Sequence, residues 1–479
     1  MRVVVAHNWH LSLDPYAAVE GKPYPPLGTA ILAAMLRERG HEVVFHDATF
    51  ADGPEAFAGV LDAVRPDRAL IVADHFLVPQ KMCLDAQRRG AFAMLSGART
   101  RKIPVLIAGP DASDRAHEYL AAGADVVVRG EPDASALAWA DGAEAASLPG
   151  AVVPGGAVGD VARPMTDLGG LPSPAWDLLD LRPYADTWRR VHGAWEAPVS
   201  ASRGCPYRCN WCAKPIWGRR IALRPVADVL ADVAQLERAG VDRIWFADDI
   251  FGIKPAWLRD FRDAVRARGG MPPFRCLSRA DLLAKPGAID LLAEAGCAEV
   301  WMGAESGSQR VLDAMDKDQD VAEIEVAVRG LRARGVRVGL FLQLGYPGER
   351  VEDVQQTFAM IRRLRPDEIG ISVTLPLPGT PFYERVKDRL LAESWDSTMD
   401  CRLLFQATYP QPFYDAAREV LRREHAVAMA GRAAVRLMSG ERGPKGRRHD
   451  LRRVAAAPLH AARVPFEHLR VAWWATSER

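Results

Sequence analysis

No run in this chain approaches the roughly 18 consecutive apolar residues that a membrane span requires. The amino terminus, MRVVVAHNWH, reads as a short apolar strand rather than a secretory leader. Cysteine is scarce, with seven in 479 residues, which argues against a secreted disulfide framework. There is one C-x-x-C and no histidine pair at finger spacing, so a structural zinc site lacks its ligands. An excess of one charge is missing too: 62 Lys and Arg face 61 Asp and Glu, and no nucleic-acid partner is expected. No G-x-G-x-x-G follows the first strand, which speaks against a dinucleotide. What remains is a cytoplasmic expectation and a chain long and apolar enough, at 49% hydrophobic residues, to bury two or three cores.

The informative feature is the segment SRGCPYRCNWC, which places Cys205, Cys209 and Cys212 within eight residues. Three thiolates this close can hold an iron–sulfur cluster and leave one iron without a protein ligand, whereas a ferredoxin-like electron carrier takes four per cluster. The other cysteines, Cys83, Cys276, Cys297 and Cys401, are scattered singly. An electron-transfer or sensing protein fits the cysteines alone. With its flanks, the triplet resembles the C-x-x-x-C-x-aromatic-C signature of the radical S-adenosylmethionine superfamily, standing here as Cys205, Cys209, Trp211 and Cys212. That resemblance implies a 4Fe-4S cluster whose open iron chelates S-adenosylmethionine and generates a 5'-deoxyadenosyl radical able to abstract hydrogen from unactivated carbon.

Residues 1–140 alternate short apolar runs (RVVVA, EVVFHDA, ALIVADH, VLIAGP, DVVVRGE) with helical patterns, which predicts an α/β, doubly wound parallel sheet. In the first helix Leu27, Ile31, Leu32, Met35 and Leu36 share a face, and Gly40 stands where the helix should stop. Ligands of such domains sit beyond the carboxyl ends of the strands. PPLGTAILAAMLRERGHEV, GPDAS and VVVRGEPD resemble the cobalamin-binding domain often fused ahead of a radical S-adenosylmethionine barrel. The resemblance implies cobalamin contacts at Leu27, Gly28, Ala73, His75, Gly109, Gly130 and Glu131, the two later glycines admitting a flat macrocycle. The D-x-H-x-x-G motif that supplies a lower axial histidine elsewhere is missing, and His7, His10, His46 and His75 lack its context.

Residues 141–198, rich in Gly and Pro, read as a connector, with Trp176 and Leu178 expected to pack it onto the barrel that begins at residue 199. From 199 to 390 six strand candidates (APVSAS, RIWFADD, FRCLSR, AEVWMGAES, VRVGLFLQLG, EIGISVTLP) alternate with helices such as VADVLADVAQLERAG. Six units match the partial six-fold β/α barrel of the superfamily, where chemistry gathers at strand ends. The resemblance implies S-adenosylmethionine contacts at Trp211, Asp248, Asp249, Ser278, Arg279, Glu305, Ser306 and Gly345, with Arg279 pairing with the methionyl carboxylate and Gly345 bearing the adenine; Glu349, in the same turn, reads on its own as a cap of the next helix. Residues 391–479 read as helical; the last forty hold nine Lys or Arg against four acidic residues, with Trp473 and Trp474. Such a tail suits peripheral membrane contact, an acidic carrier protein, or a solvated helix over the barrel mouth.

These readings converge on an enzyme using a 4Fe-4S cluster, S-adenosylmethionine and cobalamin to methylate an unactivated carbon of a natural-product, pigment or lipid precursor. The substrate would be small or lipid-like and the reductant a flavodoxin or ferredoxin. No protein residue is assigned a catalytic role, because the cofactors carry the chemistry. The alternative is radical oxidation, cyclisation or rearrangement on the same architecture. A methylthiotransferase would need a second three-cysteine site in the first domain, where Cys83 stands alone.

Overall fold

The structure is a computed structural model and describes residues 1–73, 84–213, 219–391, 402–440 and 447–476. It divides into two compact units. The described residues up to Pro206 and from 219 to Asp248 form the first; the second takes those of 207–213 and 249–391 and those from 402 onward.

In the first unit the apolar runs become β1 (Arg2–Ala6), β2 (Glu42–His46), β3 (Arg68–Val72), β4 (Val105–Ala108) and β5 (Val126–Val128), all parallel, in the order β2-β1-β3-β4-β5. A short β6 (Ala151–Val152) joins β5 antiparallel. Successive side chains of a strand point to opposite faces, and both faces here are covered by helices. Val4 and Ala6 pack with Phe57, Leu61, Met94 and Leu95 on one side, while Val3 and Val5 pack with Leu32, Leu36 and Trp139 on the other. This explains the unbroken apolar runs, since a strand buried on both faces has no polar alternation. The predicted first helix spans Leu27–Glu38, and Gly40 takes φ +81° just beyond it.

The connector does not use Leu178 as expected. Ala175 and Leu178 pack against Ala33, Ala34, Val43 and Phe45 of the first sheet and its helix, and Ala175 N–H donates to the Ala30 carbonyl. Through Ala175 and Leu178 the GGLPSPAWDLL stretch therefore covers an apolar surface of the first domain beside β2 and helix Leu27–Glu38, while its Ser173 reaches Asp232 of a barrel helix. Helix Arg182–His192 comes next, with Tyr184 Oη donating to the Asp47 carboxylate and Trp188 Nε1 donating to the Pro23 carbonyl at 2.7 Å.

The first unit also holds the first two barrel strands, β7 (Glu196–Val199) and β10 (Arg243–Phe246), which pair in parallel, and the two-stranded antiparallel β8 (Ser202–Arg203) and β9 (Ala222–Leu223). Between them, helix Val226–Arg238 buries Val229, Val233 and Leu236 as its spacing predicts, and also Asp232, which binds Arg224 and Ser173. The second unit carries the remaining barrel strands, β11 (Phe274–Ser278), β12 (Cys297–Glu305), β13 (Arg337–Leu344) and β14 (Glu368–Val373), parallel and hydrogen-bonded in sequence order. All six strand candidates are thus strands. Two long helices, Gln411–Ser439 and Arg447–Thr476, complete the unit.

Gly109, after β4, has φ +142°, and a Cβ there would lie 2.4 Å from the Ala73 Cβ. The Ala73 side chain stands in this space. Gly109→Ala should therefore lower the stability of the apoprotein by roughly 2–3 kcal/mol, read from its thermal unfolding. Unchanged apo stability with loss of corrinoid retention would instead mean that a ligand occupies the space.

Candidate cluster and cofactor site

Cys205, Cys209 and Cys212 are thiols, Cys209 buried and the other two half-buried. In the second unit the Arg279 guanidinium approaches Cys209, with Nη1 3.8 Å from Sγ. Arg279 follows β11 directly, so strand geometry sets its direction. Its Nε donates to Asp281 Oδ1 at 2.7 Å, and its Nη2 donates to the carbonyls of Lys317 and Asp318 at 2.7 and 2.9 Å. The guanidinium carbon lies 3.6 Å from the centroid of the Tyr207 ring, whose hydroxyl donates to Asp281 at 3.1 Å. Burial disfavours the charge, but Asp281, Cys209 and Tyr207 outweigh it and hold the guanidinium above its ordinary pKa. These contacts tie Arg279 to the cysteine loop, to Asp281 and to the Lys317–Asp318 turn.

The loop between Cys209 and Cys212 is anchored through Asn210. Its backbone N–H donates to the Met315 carbonyl at 3.1 Å, its Nδ2 donates to the Ala314 carbonyl at 2.9 Å, and its Oδ1 accepts from Tyr346 Oη at 2.8 Å. Trp211 stands beside Lys317, whose Nζ is 5.8 Å from the ring centroid.

At the end of β12 the buried Glu305 sits at φ +57°, a conformation costly for a residue with a side chain. Its Oε1 accepts from Lys317 Nζ at 2.8 Å and its Oε2 from Gln343 Nε2 at 2.9 Å. Gly303 makes the pair possible, because a Cβ there would lie 2.2 Å from Glu305 Oε1 and 2.6 Å from Lys317 Nζ. Ser306 is buried, its Oγ 3.2 Å from Thr357 Oγ1 and accepting from the Ser308 N–H, so its hydroxyl shapes the turn. Ser278 is buried at the end of β11 and Asp249 is half-buried. In the first unit Asp248 is buried, with its carboxylate held by Ser202 Oγ and by the Ala201 N–H at 3.1 Å.

Gly345, past β13, has φ +84°, and a Cβ there would be 3.1 Å from Leu403. Its N–H donates to Glu349 Oε2 at 2.7 Å. Glu349 thus ties the turn together rather than capping the next helix, Val351–Leu364, whose first turn uses Asp353. Burial pushes its pKa up to about 8, and its Oε1 has no partner among the described residues.

In the first unit Leu27 is buried and Gly28 half-buried at the start of their helix, and Ala73 ends β3; His75 lies outside the described residues. Gly130 is packed by the connector, a Cβ there falling 2.6 Å from the Ala162 carbonyl. Glu131 accepts from the Met165 N–H at 3.1 Å and lies 3.7 Å from Arg203. Sequence reasoning overlooked the grouping beyond β1 and β2. There His7 Nε2 is 2.9 Å from Asp47 Oδ1, and His10 is wholly buried with neither ring nitrogen hydrogen-bonded among the described residues. Burial lowers the His10 and His46 pKa values to about 4. Also missed were Lys317, hidden in the charged run DKDQD, and Gln343. Gln343 did leave a signal, as a lone amide within the apolar run VRVGLFLQLG.

Comparison with known proteins agrees with this geometry. Residues 14–138 match the family described as B12 binding domain, and residues 199–361 match the Radical SAM superfamily. The chain is similar to an uncharacterized methyltransferase of Pyrococcus horikoshii, 27% identical over 79% of this chain and 82% of that one. It is also similar to the hopanoid C-3 methylase of Methylococcus capsulatus, 24% identical over 87% of this chain and 80% of that one. Among solved structures it resembles the radical S-adenosylmethionine methyltransferase TsrM of Kitasatospora setae, at 20% identity and a TM-score of 0.64, covering 81% of this chain and 78% of that one. The chain belongs among the proteins that join a B12-binding domain to a radical SAM domain. The second domain carries with it a 4Fe-4S cluster and S-adenosylmethionine, and the first a cobalamin. The residues suit these groups: three thiols with an arginine N–H aimed at one sulfur, and, beyond the end of β1, a buried imidazole with no hydrogen-bond partner among the described residues.

Two measurements check the roles of Glu349 and Gly303. The folded Glu349 carboxyl keeps its proton up to about pH 8, while the unfolded one loses it near 4.5. Its contribution is complete below the lower value and is lost as pH rises toward the upper one. Glu349→Gln has no such loss, so its melting temperature should gain on the wild type from about pH 5 to about pH 8; parallel curves would refute the assignment. Gly303→Ala should separate Glu305 from Lys317 and weaken S-adenosylmethionine binding at least about tenfold, measured by anaerobic equilibrium dialysis at unchanged iron content.

Proposed function

We propose that this protein methylates an unactivated carbon of a small-molecule or lipid-like substrate. The observation that carries the reading is the cysteine triplet with Arg279 fixed against Cys209, in a chain that also bears a B12-binding domain. The bound groups supply methyl transfer from cobalamin and a 5'-deoxyadenosyl radical from S-adenosylmethionine. Cys205, Cys209 and Cys212 would hold the cluster, with Arg279 keeping a positive charge and a hydrogen bond at a cluster sulfur. Both act on the reduction potential of such a centre.

Glu305, oriented by Lys317 and Gln343, would present a carboxylate to the ribose or amine of S-adenosylmethionine. Asp248, Asp249, Ser278 and Gly345 would shape the surrounding strand ends, with Trp211 beside the cluster. Leu27, Gly28, Ala73, His75 and Glu131 would border the cobalamin beyond β1 and β3, where the strand order reverses. The working boundaries are 1–140, 141–198, 199–390 and 391–479. A flavodoxin- or ferredoxin-type reductant in a reducing cytoplasm suits these cofactors.

The test is anaerobic reconstitution with iron, sulfide and hydroxocobalamin, removal of unbound corrinoid, then assay with dithionite, S-adenosylmethionine and candidate substrates. Retained corrinoid with both 5'-deoxyadenosine and S-adenosylhomocysteine is expected, and Cys209→Ala should abolish both products. 5'-Deoxyadenosine without S-adenosylhomocysteine would overturn methyl transfer in favour of radical oxidation, cyclisation or rearrangement.

A further inference from the structure

Helix Arg447–Thr476 runs antiparallel to helix Gln411–Ser439, with Arg436 bridging Asp450 at 2.6 Å near one end and Arg423 within 3.7 Å of Glu467 further along. Asp450 and Glu467 are the helix's only acidic residues, and both are buried in these ion pairs. The opposite side carries Leu451, Ala455, Leu459, Ala462, Phe466, Leu469 and Trp473, whose steps of three and four residues place them in one stripe. Leu451 is 52% exposed, Leu459 and Phe466 60%, Leu469 69% and Trp473 68%. Pro458 and Pro465 are exposed along with them. The exposed charged residues of the helix, Arg447, Arg448, Arg452 and Arg463, are all positive.

A single exposed leucine needs no explanation, but a continuous apolar stripe of this length does. The helix is not long and apolar enough to cross a membrane. A second copy of the same face would set arginines against arginines. An anionic lipid surface satisfies both features at once: apolar side chains and a tryptophan enter the headgroup boundary, and arginines at the rim meet lipid phosphates. We propose that this face docks the protein, lying flat, on anionic bilayers. The inference stands independently of which reaction the protein catalyses.

The experiment is flotation of the reconstituted holoprotein with vesicles of phosphatidylcholine alone or of equal parts phosphatidylcholine and phosphatidylglycerol. Binding is expected only to the anionic vesicles and should weaken as salt is raised. Arg452→Ala with Arg463→Ala should lower partitioning about 25-fold, at about fivefold per arginine. Leu459→Glu, Phe466→Glu and Leu469→Glu together should abolish it. Val326→Glu, the same change at an exposed apolar residue of helix Val321–Ala333, should leave it intact. Melting temperature and iron content report that each variant is folded. The proposal is overturned if the wild type does not float with anionic vesicles, or if the triple variant floats equally well. It is also overturned if the wild type is a dimer that the triple variant dissociates while neither binds vesicles.

Discussion

The second unit depends on one buried guanidinium. Arg279 touches a cysteine sulfur, a carboxylate, two backbone carbonyls and an aromatic face. Each is a group that a buried cation must find if its charge is not to be prohibitively costly. The consequence runs both ways. The cation fixes the segment from Tyr207 to Cys209 against the end of β11 and against the Lys317–Asp318 turn, so three stretches distant in sequence hold one geometry. Truncating Arg279 would leave the half-buried Asp281 carboxylate with less compensation and Cys209 without its donor.

The neighbouring Glu305–Lys317–Gln343 group obeys the same logic with a smaller margin. A carboxylate and an ammonium are both buried, and the carboxylate sits on a residue in a left-handed conformation. Two hydrogen bonds to the carboxylate, and a glycine at 303 that leaves room for them, are what sustain it. Strain of this kind persists only where the surroundings over-determine it. A register shift in the β12–β13 ladder falls between Gly303 and Glu305, so the irregular backbone and the buried charges occur at one place.

Much of the fold was legible because it rests on periodicity. Runs such as RVVVA and ALIVA have one interpretation when both faces of a sheet are covered, and Val226–Arg238 shows its helical face in the spacing alone. The cysteine triplet was equally plain, since its ligands are adjacent in the chain. The partners of those ligands were not, because Arg279 is 70 residues away from the Cys209 it meets and 38 residues from the Lys317 carbonyl that holds it. The glycines credited to ligands from sequence also have protein close by: Ala73 against Gly109, Ala162 against Gly130, Leu403 against Gly345. A glycine reports a close approach, and only coordinates say what approaches.

The carboxyl-terminal helix shows the complementary limit. Its composition, basic with tryptophans, is compatible with a solvated helix or with a surface-binding one. The distribution decides, because the two carboxylates that would neutralise the arginines on average are spent inward on Arg436 and Arg423. Solvent therefore meets apolar side chains and positive charge without acidic relief. A helix evolved only to cover a barrel would place its charges outward and its leucines inward; this one buries its acids and exposes its leucines, and that inversion is what a bilayer surface rewards.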